Sequence, residues 1–108
     1  MLVEDLLLYP GGELVSKGLR DLNANEFTEE ALLVLSARFR LEPLGFDVKV
    51  PESRPDSSEL ALYELVLGRL GVGAHAAYNA LRRRMDSFVN SYGQHLRRTR
   101  AKETTFVS

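Results

Sequence analysis

The stretch AHAAYNALRRRMDSFVNSYGQHL, residues 74–96, carries the clearest pattern in the chain. Ala74, Tyr78, Leu81, Met85, Phe88 and Tyr92 recur at alternating spacings of four and three, which on a helix draws one continuous apolar seam. Ala77, Val89 and Leu96 widen that face. A helix over 74–96 would be about 35 Å long. The next seam position is His95, where the buried stripe is expected to fade, and Gly93 is a place for the end to kink or fray.

Working backwards, Gly71-Val72-Gly73 is short enough to force a tight hairpin with the helix before it. That helix reads Leu60-Ala-Leu-Tyr-Glu-Leu-Val-Leu, apolar almost all round, which predicts a place at the centre of the core. Asp56 followed by Glu59 has capping-box spacing and introduces it. The preceding Pro51-Glu-Ser-Arg-Pro55-Asp-Ser is polar with two prolines and reads as a flexible loop near 51–57. Phe46 to Val50 alternates apolar and polar residues as a strand would. Nothing else alternates clearly enough to pair with it, so an extended linker is expected.

Towards the N-terminus, Thr28 is placed to cap a helix whose first residues, Glu29 and Glu30, suit the positive end of the helix dipole. Phe27 and Leu32 stand at the positions of a hydrophobic staple. This helix should run through Leu32, Leu33, Leu35 and Phe39 and stop before Pro43. Leu14, Val15, Leu19 and Leu22 mark an earlier amphipathic helix, weakened by Gly18 unless that glycine marks a close packing contact. Ahead of it Leu2 to Leu8 fits a short helix or an extended segment, stopped by Tyr9-Pro10-Gly11-Gly12. These readings predict an all-α fold: a small four- to five-helix bundle with a C-terminal helical hairpin. It would form one domain over residues 1–98, with a disordered basic tail over 99–108.

The 108 residues suit one core. Hydrophobic residues make up 44% and charged residues 27%, which argues against wholesale disorder. The absence of Cys excludes disulfides and thiolate zinc sites. Acidic residues at the start stand where a secretory signal is basic, and no apolar run reaches membrane-span length, so a cytoplasmic protein with no membrane partner is expected. The net charge of −1 hides an asymmetry. Residues 1–65 hold six Lys/Arg against thirteen Asp/Glu, and residues 66–108 hold eight against two.

That asymmetry places the candidate contact residues. Arg82, Arg83 and Arg84 are contiguous, and Arg97, Arg98, Arg100 and Lys102 follow one to two heptads later, so a nucleic-acid backbone along the helix would meet several cations. The competing reading lays the stems of Arg82 and Arg84 on the core, paired with acids such as Glu59 or Glu64, and leaves Arg83 solvated. Tyr78, Phe88 and Tyr92 interleave with the arginines, but their seam spacing assigns them to the core rather than to base stacking.

Catalytic signals are weaker. Arg69 and His75 have five residues between them, a spacing similar to the Arg-x4–6-His of HEPN-class helical ribonucleases, yet Gly71-Val72-Gly73 interrupts the helix between them. His75 and His95, twenty residues apart on one helix, are about 30 Å apart and cannot share a metal. No nucleophile elbow or phosphate loop is present, and no cofactor is implied. The expectation is a non-catalytic interaction or regulatory module that binds a protein partner or itself, with a homodimer using the apolar surplus of Leu2–Leu8, Leu32–Leu35 and Leu60–Leu67. The alternative is nucleic-acid binding through the basic C-terminal helix and tail.

Overall fold

The glycine pair that stops the N-terminal apolar segment also starts the first helix. In the computed structural model, which describes residues 6–107 and the side chains of residues 6–99, Gly11 takes a left-handed backbone (φ 77°) and is the N-cap of α1 (Gly12–Asn23). It must be glycine for a second reason: a Cβ there would stand 2.5 Å from the carbonyl oxygen of Arg84. Leu14, Val15 and Leu22 are buried along one side of α1. Gly18 lies among them, and a Cβ on it would meet Val34 and, at 2.5 Å, the Glu30 carbonyl oxygen. The glycine thus lets two helices touch at backbone distance.

The second of these is α2 (Glu29–Ser36). Thr28 caps it as the sequence predicts, its Oγ1 accepting from the Ala31 N–H at 3.2 Å. Ala31 to Leu35 are all buried, so α2 is the inner helix of the protein. It ends earlier than its apolar spacing predicts. Ser36 Oγ donates to the Leu33 carbonyl at 2.7 Å, Ala37 leaves helical geometry (φ −107°, ψ 9°), and the chain resumes as the single turn α3 (Arg38–Leu41) and a 3₁₀ turn (Glu42–Leu44). The break rotates Phe39 outwards to 73% exposure, with the Arg38 guanidinium over its ring, while Leu41 takes the interior place.

Residues 46–50 form no strand, and there is none among the described residues. The segment carries no regular structure, as expected of a linker, with Val48 buried, Phe46 and Val50 against the core and Pro51 buried just after it. The cap of the next helix, α4 (Ser58–Leu70), corrects the sequence reading: Ser57, not Asp56, is the N-cap, its Oγ accepting from the Leu60 N–H at 3.1 Å. Asp56 stands one residue too early. The central position predicted for α4 is also corrected, since only Leu62 and Val66 are buried and the rest of its apolar surface reaches solvent. The centre is already filled by α2, and α4 covers one side of it.

A 3₁₀ turn (Gly71–Gly73) leads into α5 (Ala74–Val107), 34 residues of unbroken helix. Its seam packs as the 4-3 spacing predicts, with Ala74, Met85, Phe88 and Tyr92 buried and Tyr78 and Leu81 half-buried against the core. Tyr9, Phe46, Phe88 and Tyr92 make one aromatic cluster, in which the Phe88 and Tyr92 rings stack at 5.5 Å. Phe88 and Tyr92 of the seam are therefore core, and Tyr78 packs half-buried against it. The helix passes through the buried Gly93 without a break. The helical backbone runs on to Val107. A helix of this length measures about 50 Å and sets the long axis of a body 55 × 29 × 22 Å.

Candidate interaction surfaces

The arginines of α5 divide by what they touch. Arg84, on the edge of the seam nearest α1, is ion-paired with Glu13 rather than with Glu59 or Glu64. Arg82, on the opposite edge, is exposed and lies over the half-buried Tyr78 ring one turn back, with its guanidinium carbon 5.7 Å from the centroid. Arg83, Arg97 and Arg98 are exposed, and among the described residues no carboxylate pairs with them. The side chains of Arg100 and Lys102 lie outside the described residues. Among the α5 side chains the structure describes, the one acid, Asp86, accepts from Arg40 Nη1 at 2.6 Å and so presents no free negative charge.

Elsewhere the two oppositely charged halves meet. Arg69 grips Glu29 with two parallel hydrogen bonds, Nε to Oε2 at 2.7 Å and Nη2 to Oε1 at 2.9 Å, and that carboxylate holds the guanidinium proton more tightly than usual. Arg69 is thus committed to α2. His75 sits across the 3₁₀ turn on α5, its Nε2 3.2 Å from Asn79 Nδ2. The two members of the Arg-x4–6-His spacing therefore belong to different helices with different partners, and the geometry gives them no shared reaction centre.

A second ionic group ties α1 to α2. Lys17 Nζ donates to Asp21 Oδ2 at 2.7 Å and to Glu30 Oε1 at 3.5 Å, and Thr28 Oγ1 donates to the same Asp21 oxygen at 2.5 Å. Burial works to raise the Asp21 pKa, but the hydrogen bonds from Lys17 and Thr28 outweigh it and hold the carboxyl below its ordinary value. Asp21 in turn raises Lys17.

The exposed side of α4 is the other surface that stands out. Leu60, Tyr63, Leu67 and Leu70 follow 3-4-3 spacing, and three of them are open to solvent: Leu60 at 58%, Leu67 at 46% and Leu70 at 43%. Tyr63, half-buried, closes the stripe against Tyr78, ring to ring at 5.2 Å. Leu65 faces the other way, into a cleft lined by Phe27, Leu32 and Ala61. The sequence marks the surplus of apolar residues in Leu60–Leu67 but not which of them stay outside. That is decided by α2, whose Leu32–Leu35 are buried to the last residue. Leu7 and Leu8 remain exposed, and Leu2 to Asp5 lie outside the described residues.

Among the described residues no three His, Asp or Glu side chains are grouped to hold a metal ion, and no described helix is long and apolar enough to cross a membrane. No family model, curated protein or solved structure matches the chain.

Proposed function

We propose that the chain is a non-catalytic helical interaction module of the cytoplasm, a four- to five-helix bundle with a C-terminal hairpin, that self-associates through the outer face of α4. The observation that carries this reading is the solvent-open row of Leu60, Leu67 and Leu70 beside Tyr63. Apolar rows at heptad spacing gain little by facing water, at roughly 25 cal/mol for each Å² left uncovered. A two-fold pairing sets the same patch of each copy against the other and covers both rows at once. Light scattering over a concentration series is expected to show dimers. The double variant Leu60→Glu, Leu67→Glu changes residues that touch little of the core, so it is expected to stay folded and turn monomeric. A strict monomer at all concentrations, with no binding of an apolar dye, overturns the reading.

A second reading rests on a separate observation. Arg83, Arg97 and Arg98 keep no carboxylate among the described residues, while Arg40, Arg69 and Arg84 each have one. It supports binding of a nucleic acid by the outer surface of α5, with Arg100 and Lys102 next along the chain. Affinity is then expected to fall steeply between 50 and 200 mM salt, by roughly tenfold or more for three phosphate contacts. Affinity that is absent, or indifferent to salt, removes it.

A further inference from the structure

On a helix turning about 100° per residue, the direction opposite the Leu81, Met85 and Tyr92 seam is occupied by Arg83, Ser87, Asn90, Gln94, Arg97 and Arg98, all within an arc about 100° wide. All six are exposed. The order along the axis is arginine, then hydroxyl and amide side chains, then arginine again. Neither Asn90 nor Gln94 hydrogen-bonds to another described residue, and the nearby Asp86 is neutralised by Arg40. The arc therefore holds no free negative charge between its two basic ends, unlike an ordinary solvated helix face, where acids and bases alternate.

We infer that this arc of α5 enters the major groove of double-stranded DNA, with Arg83 at one end and Arg97 and Arg98 at the other on the phosphates of the two groove walls, and Asn90 and Gln94 on base edges between them. This rests on the second reading above and names its substrate class. Arg83 and Arg97 are fourteen residues apart, about 21 Å along the axis. The major groove admits a helix and is about 12 Å wide, so a helix seated in it and running obliquely along it brings residues about 21 Å apart within arginine reach of opposite walls. Asparagine and glutamine have the donor and acceptor pair that matches adenine in that groove, while Arg bridges to phosphate. Double-stranded RNA offers no such entry, because its major groove is too deep and narrow for side chains to read.

The experiment uses the full chain and a pool of 20-base-pair DNA duplexes randomised at the centre, with a 20-base-pair RNA duplex and a thymidine 20-mer as competitors. Duplex DNA is expected to bind at least tenfold more tightly than either competitor at 50 mM salt. Selection is expected to enrich adenine at a fixed position. Asn90→Ala with Gln94→Ala is expected to erase the enrichment, costing roughly tenfold more on the selected site than on random duplex. Arg83→Ala with Arg97→Ala lowers affinity for every duplex alike and shallows the salt dependence. All four residues are exposed, and an unchanged helical circular dichroism spectrum confirms the fold of each variant. Duplex DNA bound no better than RNA or the single strand, or an amide pair whose loss changes nothing, overturns the inference while leaving the second reading standing. No binding to any of the three probes removes both.

Discussion

Gly18 sets two opposed effects against each other. In an exposed helix, Gly→Ala gains up to about 1 kcal/mol of helix propensity. Here the new methyl would meet Val34 and the Glu30 backbone, and a carbonyl in the middle of α2 cannot step aside. Overpacking costs about 1–3 kcal/mol and wins, so Gly18→Ala is expected to lose about 2 kcal/mol, read as a lower urea midpoint with an unchanged slope. Asp21 gives a pH signature. Its folded pKa lies below the unfolded value of about 3.9, so its contribution is fully present above that value and is lost as pH falls through the folded value. Asp21→Asn should therefore show a smaller drop in urea midpoint between pH 6 and pH 3 than the parent. The cap at Thr28 was legible in the sequence because capping is local. The Gly18 contact and the bond from Thr28 to Asp21 join different segments, and nothing in the order of residues reveals such a meeting. Ser57 beside Asp56 shows a finer limit: both side chains can cap, and the extended backbone at Ser57 decides between them.

Helices α4 and α5 show what periodicity can and cannot settle at the scale of the element. The 4-3 seam of α5 named its buried face correctly because only one side of that helix is apolar. An all-round apolar sequence such as α4 has no side to name, and the inner place went to α2, whose five consecutive buried residues leave no room for a second central helix. The two helices should accordingly respond differently to substitution. Phe88, the largest wholly buried side chain and a member of the aromatic cluster, is expected to cost about 4 kcal/mol on Phe88→Ala. Leu60→Ala should cost no more than about 0.5 kcal/mol in a monomer. Thermal unfolding of the two variants at low protein concentration checks the contrast. The arginines follow the same logic. Their sequence run showed a basic helix, but only the fold shows that Arg84 faces Glu13 and Arg83 faces solvent.

At the scale of the molecule, the acidic first half and basic second half partly satisfy each other through the Glu29–Arg69 and Glu13–Arg84 pairs. These pairs are largely exposed, so they contribute little to stability and weaken with salt. The proposed self-association through α4 would add a term that grows with protein concentration. The melting temperature of the parent should then rise across a hundredfold dilution series read from dilute to concentrated, while that of Leu60→Glu, Leu67→Glu stays flat. The link between α4 and α5 has a consequence of its own. Val72 stands wholly clear of the protein, between Gly71 with its left-handed φ of 62° and Gly73, and a Cβ on either glycine would meet nothing. An open, uncrowded tip of this kind is where a protease finds its substrate. Because Met85, Phe88 and Tyr92 bury the middle of α5 in the core, a single cut there is expected to leave two pieces that co-elute on gel filtration without denaturant, and pieces that separate on the column would contradict it.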